Sequence, residues 1–339
     1  MRFIKYIIVI LLLIPNICYA GDRKRVAVVL GGGGAKGAAE VGVLKYIEQA
    51  GVPVDYVVGT SIGSIVGGLY SIGYNSTELD SLFRSQEWLD LLTDRSISNS
   101  NSLITIEDGV LMIKGIPVRL DFIKKKNPLS NIGVLRGDSI VSKFNSMIGS
   151  KYAIPETDSI SFDSLPIPYR CVAVNVRSFE ECVLSHGSLS KAMRASMAVP
   201  FVFRPMNINE QPLVDGGVLN NLPVDVAKAM GADIVIAVDL AVKEPDDDEP
   251  KLDADELFEP LSNIGIVNMI DWQIRRPDIK KYKNNRKMAD LVIQPRLNGF
   301  KCQDFTSEAI SEMISIGENA GREALPALIE LRETIYSEQ

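Results

Sequence analysis

The sequence predicts an α/β fold in which a mainly parallel sheet carries helices on both faces. Two observations lead there. Short apolar runs rich in β-branched residues, at 25–30 and 56–58, fit strands buried on both sides. Each run is followed by a glycine turn and a segment with helical spacing. Strand, turn and helix in repetition imply right-handed crossovers and parallel strands. A length of 339 residues suits one large α/β domain. With 46% hydrophobic and 23% charged residues, the composition excludes disorder, collagen-like repeats and coiled coils.

The first twenty residues read as a signal peptide. Arg2 and Lys5 form a basic start, residues 7–13 are apolar, and Cys18 and Ala20 supply small residues at the −3 and −1 positions before Gly21. The apolar run is short for a bilayer span, so the expectation is an exported chain, periplasmic or secreted after cleavage near Ala20. An uncleaved anchor is the alternative. Lipidation at Cys18 fits poorly because the large Ile17 precedes it. Cleavage leaves Cys171, Cys182 and Cys302, too few for a disulfide framework. A bond between Cys171 and Cys182, on neighbouring predicted strands, is the alternative to free thiols.

The first strand, 25–30, runs into Gly31, Gly32, Gly33 and Gly34, and a helix follows over 38–50 with Val41, Val43, Leu44 and Ile47 as its apolar positions. Gly51 and Pro53 end it. The strand at 56–58 leads through Gly59, Thr60, Ser61, Ile62 and Gly63 into a close-packing helix over 62–72. Between 75 and 163 the pattern blurs, with helices over 79–92 and 139–147 and loops at 96–102 and 124–126; a lid would lie here. Strands return at 169–176, 181–184, 212–215 and 233–238, with helices at 191–197 and 223–230. An acidic run spans 244–256. A last strand at 289–293 and one or two helices over 307–335 close the chain.

Three motifs carry chemistry. Gly32, Gly34 and Gly37 follow a strand and open a helix, as in a dinucleotide site, yet Asp55 precedes its strand where that site needs an acid at a strand end. Lys36 is followed by Gly37, which does not fit a P-loop. What successive glycines do provide is unobstructed N–H groups at a helix start, suited to an anion or oxyanion. In the second motif, Gly59 and Gly63 flank Ser61 at a strand-to-helix bend, the pattern of a nucleophile elbow. A serine nucleophile needs a base. The chain holds one histidine, His186, in a polar turn region, which excludes any mechanism or metal site needing two imidazoles. Asp215, at a strand end before Gly216 and Gly217, is the better base: a carboxylate can serve alone in a dry pocket.

These motifs, in this order, resemble the patatin-like phospholipases. The similarity includes residues 28–37, 59–63 and 214–217, the segment 191–200 leading to Pro200, and the acid segment 215–223. The resemblance implies a patatin-like three-layer fold and a Ser61–Asp215 dyad. It also implies an oxyanion hole in the loop Gly32, Gly33, Gly34, Ala35, Lys36 and Gly37, with the N–H groups of Gly33, Gly34 and Ala35 foremost. Lys36 stands at the family's basic position. Gly217 departs from the Ala that many members carry. The implied activity is hydrolysis of phospholipid, lysophospholipid or neutral-lipid acyl esters, with no metal or other cofactor. The implied organisation is a signal peptide over 1–20, a catalytic domain over 21–240, an acidic loop and variable insertion over 241–288, and a C-terminal strand and helices over 289–339 packed on the same domain. Expected partners are lipid substrates, with transient contact at a membrane surface. Nucleic acid is disfavoured by a net charge of −7. A catalytically silent lipid-binding or interaction protein on the same fold is the first alternative, and a dinucleotide-dependent enzyme the second.

Overall fold

The computed structural model describes residues 23–86, 88–93, 104–107, 110–113, 116–118, 133–153, 159–241 and 279–336. The expected signal peptide with Cys18, the expected loops at 96–102 and 124–126 and the acidic run 244–256 lie outside these residues.

Strand β1 (Val26–Leu30) passes through one 3-10 turn, Gly34–Gly37, into helix α1 (Ala38–Gln49); β2 (Tyr56–Thr60) leads into α2 (Ile62–Ser71). The helix expected over 79–92 is two, α3 (Ser76–Ser85) and α4 (Trp88–Thr93). Helix α3 starts early because Asn75 and Glu78 form a capping box: Asn75 Oδ1 accepts from the Glu78 N–H at 2.9 Å, and Glu78 accepts from the Asn75 N–H at 3.0 Å. A three-stranded meander follows, β3 (Ile104–Glu107), β4 (Val110–Ile113) and β5 (Ile116–Val118), then β6 (Gly133–Leu135) and α5 (Asp138–Lys151). Next come β7 (Ile160–Ser161), β8 (Tyr169–Asn175), β9 (Glu180–Leu184), β10 (His186–Gly187) and α6 (Leu189–Ser196). The chain continues through β11 (Phe201–Phe203), β12 (Met206–Ile208), β13 (Gln211–Asp215), α7 (Val224–Ala229) and β14 (Ile234–Val238). Helix α8 (Ile279–Met288), β15 (Leu291–Ile293) and α9 (Ser307–Tyr336) complete the described elements; α9 is one helix despite Pro326.

The main sheet has the order β12-β13-β8-β2-β1-β14-β15, with β9 also paired to β8. Strands β15, β14, β1, β2 and β8 are mutually parallel; β9 and β13 run antiparallel to β8, and β12 pairs antiparallel with β13. The unbroken apolar runs are explained by this placement. In β1, Val26, Val28 and Leu30 enter one core while Ala27 and Val29 enter the other. Helices α1, α2 and α9 cover the first face, and α7 with α8 covers the second. Helix α9 crosses α1 at backbone contact: a Cβ on Gly317 would lie 1.9 Å from the Ala39 carbonyl oxygen, and one on Gly42 would lie 2.3 Å from that of Ile314. That crossing fixes where the segment preceding α9 lies, which matters for the site.

Cys171, Cys182 and Cys302 form no disulfide. Register explains why the first two do not bond: Cys171 lies opposite Leu184, and Cys182 opposite Ala173.

Candidate active site

Strand β2 ends at Thr60 and α2 begins at Ile62, leaving Ser61 alone in the bend with φ 55° and ψ −125°. A side chain in that region costs on the order of 1–3 kcal/mol, so the surroundings must hold it there. Both flanking glycines are sterically required. A Cβ on Gly59 would stand 2.3 Å from the Gly63 carbonyl oxygen, and one on Gly63 would stand 2.3 Å from that of Leu30. Hydrogen bonds complete the clamp. The Ser61 N–H donates to Ser196 Oγ at 3.0 Å, and Ser196 Oγ donates to the Val172 carbonyl at 2.6 Å. The Ser61 carbonyl accepts from the N–H and the hydroxyl of Ser64, at 2.9 and 2.6 Å.

Ser196 is fully buried at the C-terminal end of α6. Ser196→Ala leaves a buried N–H and a buried carbonyl without their shared hydroxyl, at about 1–3 kcal/mol for each orphaned group. The expected outcome is a lower thermal midpoint and slower turnover, with Ser196→Thr restoring part of both, measured by calorimetry and ester hydrolysis.

Asp215 reaches Ser61 through strand register. Thr60 pairs with Val172 of β8, and Asp215 of β13 pairs with the next residue, Ala173. Because β9 occupies the other edge of β8, β2 and β13 share one edge and meet end to end. The Asp215 N–H donates to the Ala198 carbonyl at 2.9 Å, so the segment that holds the Ser61 backbone also holds that of Asp215. Ser61 Oγ donates to Asp215 Oδ2 at 2.7 Å, and the Gly217 N–H donates to Oδ1 at 2.7 Å. Gly216 lets this turn lie against β8: a Cβ there would be 2.3 Å from the Val172 carbonyl oxygen. Asp215 is 2% exposed and Ser61 7%. Burial pushes the Asp215 carboxyl up to about 7, although the Ser61 and Gly217 donors pull it down. The carboxylate therefore takes a proton far more readily than an exposed one.

The glycine loop lies beside this pair. The Gly31 N–H donates to the Val238 carbonyl at 3.1 Å, and the Gly32 N–H to that of Asn221 at 3.0 Å. Asn221 Nδ2 returns a bond to the Gly32 carbonyl at 3.0 Å. A Cβ on Gly32 would be 3.0 Å from Ser61 Cβ, which measures how closely the loop passes Ser61. One expectation is corrected here. The Ala35 N–H donates to the Cys302 carbonyl at 2.8 Å and does not face a substrate. Among the described residues, no acceptor in the chain takes the N–H of Gly33 or Gly34, and these two remain as donors. Lys36 is buried in the 3-10 turn. Gly37 serves packing, since a Cβ there would lie 2.2 Å from Ile62 Cγ1. Behind the loop, Glu40 is fully buried, and burial pushes its carboxyl well above the usual range.

Ser61 and Gly34 line one cavity of about 70 Å³. Its walls are mainly apolar, with Ile65, Trp88, Ile140, Val202 and Phe203 among them. Cys302, Gln303 and Phe305, from the segment before α9, form another side. His186 is exposed on β10 beside Ser185 and does not line the cavity. Sequence reasoning missed Ser196, Asn221 and Gln303. Their parts depend on contacts across the fold, and neighbouring residues carry no signal of them.

A family model described as patatin-like phospholipase matches residues 28–228. Patatin-like phospholipase domain-containing protein 6 of Homo sapiens is 33% identical over 280 residues, which cover 82% of this chain and 17% of that protein. An uncharacterised NTE family protein of Mycobacterium tuberculosis is 30% identical over 240 residues, 70% of this chain and 55% of its own length. The chain thus spans a small part of the mammalian relatives and about half of the mycobacterial one. Among solved structures, VipD from Legionella pneumophila aligns with a TM-score of 0.47 at 14% identity, covering 90% of this chain and 67% of that one.

Proposed function

Because the chain belongs to the patatin-like phospholipase family, we propose that it is a serine lipid acyl hydrolase working through a Ser61–Asp215 dyad. The observation that carries this reading is the 2.7 Å hydrogen bond from Ser61 Oγ to a buried carboxylate. Asp215 takes the hydroxyl proton as Oγ attacks the ester carbonyl. The N–H groups of Gly33 and Gly34 stabilise the oxyanion of the tetrahedral intermediate. The protonated Asp215 then gives its proton to the leaving alcohol, and the acyl group stays on Ser61. Water attacks the acyl-enzyme with Asp215 again as base, releasing the fatty acid and restoring the serine.

The cavity supports a lipid acyl substrate over a polar one. Among the described residues its lining is mainly apolar and includes no charged side chain. A substrate of this kind fits transient contact with a membrane surface. The reading includes export to the periplasm or medium, which the amino-terminal sequence suggests.

The test is intact mass after reaction with a fluorophosphonate, followed by hydrolysis of a lipid panel. Wild type is expected to gain one phosphonyl adduct and to release fatty acid; Ser61→Ala is expected to do neither at a comparable thermal midpoint. An unlabelled, inactive wild type that still binds lipid would identify a silent lipid-binding protein instead.

A further inference from the structure

The segment 301–305 is bound to the glycine loop in a way the family comparison does not cover, since the family match ends at residue 228. The Cys302 carbonyl accepts the Ala35 N–H at 2.8 Å. The same residue fills the space beside Gly34: a Cβ on Gly34 would lie 2.4 Å from the Cys302 carbonyl oxygen and 2.9 Å from its Cβ. The strap is internally tied. The Lys301 N–H donates to Asp304 Oδ2 at 2.7 Å, and the Phe305 N–H to the Gln303 carbonyl at 2.9 Å. Immediately afterwards α9 begins, locked against α1 through Gly317 and Gly42. The strap is thus anchored at both sides.

Holding the strap in place takes one peptide donor away from the loop. It also places Gln303 on the wall of the cavity that Ser61 and Gly34 line. Gln303 Oε1 accepts from Cys302 Sγ at 3.1 Å, which orients the amide. Its NH₂ group is taken by no acceptor of the chain among the described residues. Gln303 is half-buried and the other described walls are mainly apolar, so its amide is among the few polar groups beside a bound ester. An amide side chain can act as an oxyanion donor when it is held in place before the reaction.

We propose that Gln303 is a catalytic residue, its amide NH₂ donating to the ester oxygen that becomes negative during attack by Ser61. It replaces the Ala35 N–H that the Cys302 carbonyl occupies. This rests on the dyad reading above, and it places the third donor on a segment beyond the family match.

The experiment is steady-state hydrolysis of a soluble p-nitrophenyl acyl ester by full-length wild type, Gln303→Met and Gln303→Ala, with fluorophosphonate labelling rates alongside. Gln303→Met keeps the bulk of the wall and removes the donor. The expected result is a loss in kcat on the order of 10²-fold in both variants, with KM changed by less than about threefold. Phosphonylation should slow in parallel, because the phosphoryl oxygen needs the same donors. A Gln303→Met enzyme with unchanged kcat, or with KM raised and kcat intact, overturns the proposal and leaves Gln303 as a wall. Ser61→Ala serves as the separate control: if it still turns over, the dyad reading has failed whatever Gln303 does.

Discussion

An Asp215→Asn variant will fold, bind substrate and fail to hydrolyse it. The amide keeps the shape of the site: its oxygen can accept the Gly217 N–H that Asp215 Oδ1 accepts at 2.7 Å, and its NH₂ lies where Oδ2 meets Ser61 Oγ. What changes is the direction of the second bond. The amide donates to Oγ where the carboxylate accepts from it, so nothing remains to take the serine proton. With no histidine lining the cavity to substitute, the loss in kcat should be on the order of 10⁴-fold, at the upper end for general-base catalysis. Activity near that of wild type would remove Asp215 from the mechanism; a dead His186→Ala variant would move the base there.

The same residue fixes two pH dependences with opposite consequences. Burial raises the Asp215 carboxyl from its ordinary 3.8 to about 7. The dyad needs the ionised form, so kcat/KM should rise with pH and level off above about 7. Stability goes the other way. Between about pH 4 and 7 the folded protein holds a proton that the unfolded chain has released, so stability falls as pH rises through that window. The full cost, on the order of 4 kcal/mol, is present above pH 7. Asp215→Asn carries no such charge. Its thermal midpoint should match wild type near pH 4 and exceed it increasingly toward pH 8. A gap that does not depend on pH would mean that Asp215 titrates normally in the folded protein.

What the sequence makes legible here is what depends on near neighbours. The parallel sheet follows from apolar runs because both faces of β1 and β14 are covered, and both strands alternate between two cores. Ser61 can be read from Gly59 and Gly63 because steric crowding acts over two residues in either direction. Asp215 can be read from the glycines after it and from the scarcity of imidazole. Its contact with Ser61 needs the antiparallel insertion of β13 along the edge of β8, which no local pattern encodes. The donor at Ala35 is misread for the same kind of reason: its partner, Cys302, comes from a distant segment whose position is set by the crossing of α9 over α1. Ser196 reads as an ordinary residue of an amphipathic helix until the fold brings its hydroxyl under the elbow. The start of α3 is different, since the Asn75 and Glu78 pair is a local signal that a capping-box search would find.

A Gly63→Ala enzyme, which retains every reacting group, is expected to be nearly as inactive as one lacking Ser61. The added methyl would lie 2.3 Å from the Leu30 carbonyl oxygen and 2.7 Å from that of Gly31. Both are backbone atoms, at the end of β1 and the start of the glycine loop, and neither can swing aside as a side chain would. Relief requires α2 to move from β1 by about 1 Å, and α2 carries Ser61 at its start. A displacement of that size costs on the order of 10²-fold in rate where geometry is tight. Here it acts on two distances, from Oγ to Asp215 and from the reacting carbon to the donors of Gly33 and Gly34, so the losses multiply toward 10⁴-fold. Overpacking of this kind should also lower stability by about 1–3 kcal/mol. Two readouts separate the effects. A fluorophosphonate should label Gly63→Ala far more slowly than wild type at a temperature where circular dichroism shows both fully folded. If labelling is as fast as wild type, the elbow tolerates the methyl, and the close approach of α2 to β1 is not what aligns the serine.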